Sequence, residues 1–328
     1  MAKNLVSLIL VQCRSLTEVP SSLQYLDKLE EVDLRYCYNL RSFPMLDSKV
    51  LRELTISRCL DVTTCPTISQ NLKYLYLERT SIKEVPQSIT GKLEILSLSG
   101  CSKMTKFPEI SGDIEQLCLN GTAIKEVPSS IQFLRSLREL YMIGCSKLES
   151  LPEITVPMES LWRLILSETG IKEIPSISFE HMPALQILNL DGTPLKELPS
   201  SIQFLTSLRD LDMSGCSKLE SFPEITVPMK SLVELNLSKT GIKEIPSSSF
   251  KHMISLTTLN LDGTPIKELP ELPPSLRYLH TRGCSSLETV TSIIDIGRLQ
   301  LRWDFTNCFK VDQKPLIEAM HLKIQVSL

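Results

Sequence analysis

The sequence predicts an α/β solenoid: a curved horseshoe with a parallel β-sheet on its concave face and a mostly irregular or short-helical convex side. Three observations predict this fold class. Leucines recur at a short fixed spacing, as at Leu185, Leu188 and Leu190. Each cluster is followed by a Cys or Thr and then by a step such as Leu198-Pro199. The unit returns about every 20 to 24 residues, and units of that length stack on their neighbours instead of sharing one compact core.

Each part of the unit from Leu185 to Pro199 has a physical reason. Its pattern, L-x-x-L-x-L-x-x-T-x-L-x-x-L-P, contains the core of a leucine-rich repeat. In the segment x-L-x-L-x, alternation places both leucines on one side of a strand, so adjacent repeats align into one parallel sheet over a shared core. The Cys or Thr, here called the slot residue, turns the chain away from the strand and can bond a neighbouring backbone group. The proline fixes φ, which suits an extended return segment.

Thirteen repeats and a degraded fourteenth, aligned on Cys308, follow one another along the chain. The array is predicted to span residues 1–311, and 312–328 to form an irregular, truncated C-terminal tail. A stretch that begins at Phe133 recurs from Phe204, three repeats later. Long returns such as SSIQFLRSL leave room for a helical turn, whereas short ones such as QSITGKL do not. Neither end has a polar capping segment, so the chain is expected to be part of a longer protein. The first core residues of the thirteen repeats are Leu5, Leu29, Leu51, Leu72, Leu93, Ile114, Leu137, Leu161, Leu185, Leu208, Leu232, Leu256 and Leu276.

Composition and charge exclude several classes of function. The net charge is −3 and the pI is near 5.9, so no basic surface for nucleic acid or for an anionic membrane is predicted. No apolar run approaches the roughly 18 residues that a membrane span needs. The apolar N-terminal stretch is already in repeat register from Leu5 and has no cleavage site, which favours a cytoplasmic or nuclear location over secretion.

Eight of the ten cysteines occupy the slot, which other repeats fill with Thr. Slot residues of neighbouring strands stack about 4.8 Å apart. Neither a C-x-x-C pair nor a His at zinc-ligand spacing accompanies them, so reduced, buried thiols and no metal are expected. The eight are Cys13, Cys37, Cys59, Cys101, Cys145, Cys216, Cys284 and Cys308.

The repeats alternate between two spellings. The first form has Cys in the slot, as in LSLSGCSKMTKFPEI from Leu96. The second has Thr there, as in LYLERTSIKEVPQSI from Leu75 and LNLDGTPIKELP from Leu259. The array closes with the stretch LRWDFTNCFKVDQ from Leu301. In these features the chain resembles the repeat domain of plant intracellular disease-resistance receptors, the TIR-type nucleotide-binding leucine-rich-repeat (TIR-NBS-LRR) proteins. The resemblance implies recognition of a protein, either a pathogen effector or the other domains of its own receptor, and autoinhibition in the intact receptor.

Two parts of that family's pattern are missing from this sequence. It has no G-x-x-x-x-G-K-[ST] phosphate loop and no TIR domain, so neither nucleotide switching nor NAD cleavage is carried over. We therefore expect no enzyme activity, no cofactor and no small-molecule substrate.

The concave face of repeats two to four is the predicted partner-binding site, because it is rich in the tyrosine and arginine that are enriched at interface hot spots. A merely solvated sheet face is the alternative. The site residues are Arg35, Tyr36, Arg58, Tyr74, Tyr76 and Arg79. The other positions of these repeats that are expected to face solvent are Glu31, Asp33, Glu53, Thr55, Ser57 and Glu78.

The remaining polar groups suggest no second site. His181 and His252 lie in return segments, His321 in the tail and His280 alone on the concave side, so no catalytic pairing is predicted. Carboxylates of the later repeats could suggest acid–base chemistry or calcium, but an open sheet offers no converging ligands, which favours a solvated negative surface. These carboxylates are Asp191, Asp210, Asp212, Glu234 and Asp262.

Two other functions remain open at this point. The stretch from Leu269 to Pro274 also fits the LP-rich repeats of a bacterial effector ligase, which needs a catalytic cysteine in a separate helical domain. A secreted leucine-rich-repeat receptor or inhibitor needs a signal peptide and paired capping cysteines. Localisation of the full-length gene product would separate these readings.

Overall fold

The computed structural model describes residues 4–45, 48–67, 71–86, 91–110, 112–290, 302–312, 314 and 317. The chain divides into two compact units, an N-terminal half of residues 1–152 and a C-terminal half of residues 153–328. Seven strands of three residues are described in each half.

The strands of the N-terminal half are parallel neighbours in the order of the chain. Their registers align equivalent positions, so Val32 pairs with Leu54 and Leu54 with Leu75. The strands are β1 (Ser7–Ile9), β2 (Glu31–Asp33), β3 (Glu53–Thr55), β4 (Tyr74–Tyr76), β5 (Ile95–Ser97), β6 (Gln116–Cys118) and β7 (Glu139–Tyr141).

The C-terminal half repeats this arrangement, and Leu164, Leu188 and Leu211 stand side by side on consecutive strands. Its strands are β8 (Arg163–Ile165), β9 (Ile187–Asn189), β10 (Asp210–Asp212), β11 (Glu234–Asn236), β12 (Thr258–Asn260), β13 (Tyr278–His280) and β14 (Arg302–Asp304). The predicted leucine-rich-repeat solenoid with a parallel sheet is confirmed within each half.

The core lies on one side of each sheet, as the alternating leucines require. In the second repeat, Leu29, Val32 and Leu34 are at most 1% exposed. The opposite side of the strands is here called the outward face.

The five helices whose bounds are described lie in return segments, and Lys314 and Ile317 of the tail are also helical. Four of the five described helices begin directly after a proline, whose missing N–H costs nothing at a helix start. Phe179 and Phe250 are fully buried and anchor two of these returns to the core. In the short return QSITGKL, residues 87–90 lie outside the described residues, but Gly91 and Lys92 are 3-10 helical, so the expectation that this return leaves no room for a helical turn is wrong. The helices are the 3-10 helices η1 (Ser21–Tyr25), η2 (Ser129–Phe133), η3 (Ser178–His181) and η4 (Ser200–Phe204) and the α-helix α1 (Ser247–Lys251).

Most of the predicted tail at 312–328, including His321, lies outside the described residues. Within the tail the structure describes Asp312, Lys314 and Ile317. In the part of the chain that the structure describes, no helix is long and apolar enough to span a membrane.

Candidate partner-binding face

The residue immediately before the slot adopts a left-handed backbone in every one of the fourteen described repeats, with φ between 53° and 78°. We call these positions the turn column. Their N–H groups stitch neighbouring repeats together: Tyr36 N donates to Ser57 O at 3.0 Å and Arg58 N to Glu78 O at 2.7 Å. Glycine, which adopts this conformation without strain, fills half of the column: Gly100, Gly121, Gly144, Gly192, Gly215, Gly263 and Gly283.

Side chains fill the other half of the turn column at an energetic cost. A residue with a Cβ pays about 1–2 kcal/mol for the left-handed conformation, and such strained residues cluster at ligand-binding sites. The first four repeats all carry one, whereas repeats five to seven carry glycine. The seven are Gln12, Tyr36, Arg58, Arg79, Glu168, Lys239 and Asn307. Three of the six predicted site residues therefore stand in strained positions that glycine fills elsewhere in the same chain.

These three side chains pack along the column. The guanidinium carbon of Arg58 lies 5.2 Å from the centre of the Tyr36 ring, within cation–π range. Tyr38, which the sequence analysis did not single out, meets Tyr36 edge to face with ring centres 6.2 Å apart. The side chain of Arg79 lies across Gly100, where an added Cβ would come within 2.7 Å of its Cγ. Gly100 thus provides the space in which Arg79 lies.

Arg35 has a different role from the other arginines. Its Nε and Nη2 hold the carboxylate of Asp33 at 3.0 and 2.7 Å, and this hydrogen bond raises the pKa of the Arg35 guanidinium. The two N–H groups of Arg35 that could bind a partner carboxylate side by side are therefore already bonded to Asp33. Within the described residues, neither Arg58 nor Arg79 takes part in an ion pair.

Tyr74 and Tyr76 project from β4 onto the outward face and are half-buried. The hydroxyl of Tyr74 donates to Glu94 Oε2 at 3.0 Å, and this bond raises the pKa of Tyr74. Lys73 also pairs with Glu94. Burial raises the pKa of Tyr76. Both phenols therefore stay neutral and present rigid, half-apolar contact area.

The expectation that every outward position of repeats two to four faces solvent is wrong for three residues. Asp33, Thr55 and Ser57 are buried, with exposures of 6, 7 and 4%. Parallel strands are only about 4.8 Å apart, so short side chains on the outward face are covered between longer ones. Thr55, for example, lies in register beside Tyr76. The buried hydroxyl of Ser57 has no hydrogen-bond partner among the described residues.

Charge is zoned across this face. Glu31 and Glu53 stand side by side where β2 and β3 begin. Burial, and then the nearby Glu31 and Asp33, raise the pKa of Glu53. The beginnings of these strands are therefore acidic. The turn column at their other end carries the cations Arg58 and Arg79, with one carboxylate beside it, that of Glu78, which accepts the hydroxyl of Ser97 at 2.7 Å.

The carboxylates of the later repeats are not simply solvated. Asp191, Asp210, Asp212 and Asp262 are half-buried, and only Glu234 is exposed. The outward residue at the end of a strand accepts the N–H two positions later, which closes the strand end in the manner of an Asx turn. The bonds are Ser214 N to Asp212 Oδ1 at 2.9 Å, Ser238 N to Asn236 Oδ1 at 3.1 Å and Asp262 N to Asn260 Oδ1 at 2.9 Å.

The slot residues form two kinds of hydrogen bond. A slot Thr donates to the carbonyl three residues earlier in its own repeat, whereas a slot Cys donates to the carbonyl of the preceding repeat. Thr193 Oγ1 and Cys216 Sγ thus converge on Leu190 O at 2.9 and 3.1 Å. All described cysteines are free. Burial raises the pKa of the slot thiols that follow the first repeat, to about 12 for Cys59. The predicted buried thiols are confirmed, except that Cys13 and Cys308 are only half-buried.

Two open grooves lie away from the turn column. One of about 520 Å³ in the N-terminal half is lined by Glu30, Lys49, Val50, Arg52, Asn71, Lys73 and Lys92. The other, of about 730 Å³ in the C-terminal half, is lined by Lys243, Glu244, Ile245, Ser247, Lys267, Glu268, Leu269, Pro270 and Glu271. Neither contains a histidine or cysteine. His181 and His252 contact the carbonyls of Ile177 and Ser248 through Nδ1. The described residues include no group of three His, Cys, Asp or Glu that could hold a metal ion.

Comparison with known proteins identifies the repeats. A family model described as leucine rich repeat matches residues 159–217. Disease resistance protein RPS4B of Arabidopsis thaliana is 29% identical over 298 residues, which are 89% of this chain and 19% of that protein. Disease resistance protein RPS6 of the same plant is 31% identical over 226 residues, 67% of this chain and 19% of that protein. The chain thus spans about a fifth of the length of these relatives, and its resemblance to the repeats of TIR-NBS-LRR disease-resistance proteins is confirmed.

Solved structures share the fold. One chain of the Toll–Spatzle complex, from Drosophila, superposes with a TM-score of 0.62 at 16% identity and covers 86% of this chain and 44% of its own. A chain of the octameric complex of Latrophilin 3, Unc5D and FLRT2 superposes with a TM-score of 0.56 at 16% identity, covering 86% of this chain and 88% of its own. At this identity the likeness shows the leucine-rich-repeat fold alone.

Proposed function

We propose that this chain is a non-catalytic protein-recognition module, the effector-sensing and autoinhibitory repeat domain of a plant immune receptor that acts in the cytoplasm or nucleus. Its partner is a protein, either a pathogen effector or the other domains of its own receptor. The contact is made by the outward face of repeats two to four, with Arg35, Tyr36, Arg58, Tyr74, Tyr76 and Arg79 at or beside the interface.

One observation carries this proposal: Tyr36, Arg58 and Arg79 occupy consecutive left-handed positions that glycine fills in repeats five to seven. Side chains that cost the fold stability suggest a use outside the fold. Tyr76 adds broad, stiff contact area next to them, and arginine and tyrosine are typical of interface hot spots.

The arrangement of the polar groups favours binding over catalysis. A catalytic site needs a nucleophile, a base and an orienting group within hydrogen-bond reach of one another in a pocket. His181 and His252 instead contact backbone carbonyls of their own return segments. The buried slot thiols donate to backbone carbonyls, as Cys216 does to Leu190 O at 3.1 Å, and thiols held in this way are not activated as nucleophiles.

Proximity labelling in leaf cells, with and without pathogen challenge, tests the proposal with three forms of the chain: wild type, Tyr76→Ala and Asp212→Asn. Asp212→Asn is the matched control because Asn236 and Asn260 already fill the equivalent position in other repeats. We expect a protein enriched with wild type and Asp212→Asn and lost with Tyr76→Ala. Calorimetry with that purified protein should show a cost of at least about 2 kcal/mol for Tyr76→Ala and less than about 0.5 kcal/mol for the control.

If the partner is the rest of the receptor, Tyr76→Ala should instead raise basal cell-death signalling from the intact receptor. If binding or signalling is sensitive to Asp212→Asn and not to Tyr76→Ala, the site lies on the later repeats and not on repeats two to four. If none of the three forms enriches a protein and signalling is unchanged, the recognition function itself is contradicted.

A further inference from the structure

The turn column of repeats two to four suggests what chemistry the partner presents. We propose that Arg58 and Arg79 pair with the carboxylates of an acidic, extended segment of the partner protein, which runs along this column. The inference rests on the proposed function and adds the chemical class of the bound segment.

The guanidinium groups of Arg58 and Arg79 are available to a partner. Neither Arg58 nor Arg79 forms an ion pair within the described residues, whereas the fork of Arg35 is filled by Asp33. A free guanidinium recognises a carboxylate through two parallel N–H···O bonds. Both arginines are held in position at little entropic cost, Arg58 against the Tyr36 ring and Arg79 across Gly100.

A buried polar group without a hydrogen-bond partner among the described residues lies beside the column. Ser57 is 4% exposed and its Oγ has no hydrogen-bond partner among the described residues. Its carbonyl accepts the N–H of Tyr36 at 3.0 Å, so Ser57 adjoins the column directly. A buried hydroxyl without a partner is costly. This Oγ has almost no accessible surface, so the Ser57 side chain has to turn toward the column before a ligand oxygen can accept its hydrogen.

The positions of the charged side chains favour a segment that runs across the strands. Glu31 and Glu53 occupy the beginnings of β2 and β3 and would repel an acidic chain laid along the strands. The column runs across the strands at their other end, in steps of about 4.8 Å. Alternate side chains of an extended segment are about 6.8 Å apart, a spacing within the length of two arginine side chains on adjacent repeats.

The test uses the purified chain and a fluorescein-labelled peptide of twelve glutamates, with binding followed by anisotropy at about 20 and 150 mM salt. The test variant is Arg58→Gly with Arg79→Gly, which deletes both side chains at positions that glycine suits. The matched control is Lys239→Gly with Arg135→Ala, which removes the same charge and relieves the left-handed Lys239 elsewhere.

We expect the wild type to bind the peptide more tightly at low salt, the test variant to lose at least about tenfold in affinity and the control to change less than about twofold. Ser57→Ala should weaken binding several-fold without lowering the thermal midpoint, because it removes a hydroxyl that the fold does not use. The midpoint of the test variant should not fall either, since glycine relieves the strain.

Equal losses in the test variant and the control would overturn the proposal, because binding would then follow net charge alone. A lowered midpoint would also overturn it, since the arginines would then serve the fold. If a twelve-nucleotide oligothymidylate binds as tightly with the same dependence on the arginines, the site takes phosphate and not protein carboxylates. A partner found by proximity labelling that is lost with Tyr76→Ala but kept by the test variant would refute this inference and leave the recognition function standing.

Discussion

Replacement of Cys216 tests whether the slot is a buried hydrogen-bonding position. The residue is fully buried, and its Sγ lies 3.1 Å from Leu190 O and 3.2 Å from Thr193 Oγ1. Three replacements separate its contributions: Thr, which keeps a donor; Ala, which removes it; and Asp, which introduces a charge. Cys145, which makes the equivalent contacts with Leu119 and Thr122, provides an independent repetition.

The structure sets the expected magnitudes. Cys216→Thr should change the free energy of unfolding by less than about 1.5 kcal/mol, because a slot Thr can turn to its own repeat, as Thr240 does to Leu237 O at 2.7 Å. Cys216→Ala should cost about 1 kcal/mol for the lost bond. Cys216→Asp should cost about 3–5 kcal/mol at pH 8, because the ionised carboxylate is buried facing a carbonyl oxygen that it cannot satisfy.

The cost of the Asp variant should depend on pH. Burial raises the pKa of the new carboxyl in the folded state above the value of about 3.9 in the unfolded chain. The folded state then binds more protons between the two pKa values, so the variant loses stability relative to wild type as pH rises through that window, by up to about 1.4 kcal/mol per pH unit. At low pH the protonated carboxyl can donate to Leu190 O as the thiol does.

Urea unfolding followed by circular dichroism at pH 5 and pH 8 measures all three variants. If Cys216→Asp is tolerated as well as Cys216→Thr at pH 8, the slot is not buried. A cost for the Asp variant that does not change with pH would show that its charge is not what destabilises the fold.

Three further predictions follow from other parts of the chain. Gly144→Ala should lower the free energy of unfolding by about 1–2 kcal/mol, because its φ is +71° and no atom within 4 Å of the added Cβ offers another cause. Gly91, which is equally unobstructed and has no positive φ, provides the control, and Gly91→Ala should be nearly neutral in the same urea assay. Burial, together with Glu234 and Asp212, raises the pKa of Asp210, so Asp210→Asn should stabilise the chain at pH 7. This advantage should shrink as pH falls through the raised folded-state pKa and be gone at about pH 4, the unfolded value, which parallel urea curves would show. The purified chain should leave ATP and NAD unconsumed, and turnover that survives a mock-preparation control would contradict the non-catalytic assignment.

Periodicity was enough to predict the fold because a repeat multiplies a weak signal. One alternating pair such as Leu188 and Leu190 does not separate a strand from a helix, but the same pair in successive repeats requires a parallel sheet with those leucines inside. Burial on the outward face was harder to predict. Whether Thr55 is covered depends on the length of its neighbour Tyr76, which lies beside it in space and 21 residues away in sequence.

The candidate site was predicted by residue type and not by conformation. Tyr36, Arg58 and Arg79 stood out because tyrosine and arginine favour interfaces, and nothing in their identity indicates a left-handed backbone. The signal was present in the alignment of the repeats, since these residues share a position with Gly100 and its equivalents. Tyr38 was missed because it follows the slot, outside the strand positions considered. The pairing of Arg35 with Asp33 depends on side-chain geometry that spacing alone does not determine.

A slot Thr and the next slot Cys donate to the same carbonyl, and this shared bond determines which repeat blocks the gene can gain or lose without breaking a hydrogen bond. Thr122 and Cys145 share Leu119 O, and Thr193 and Cys216 share Leu190 O, at 2.9 and 3.1 Å in both cases. Cys145 and Cys216 are equivalent residues of the two copies of the duplicated stretch. Unequal crossing-over between the copies would insert or delete three repeats at a time and restore the same Thr-to-Cys junction, with every slot donor still bonded. Alleles that differ by such a block should therefore encode arrays of different length that fold equally well.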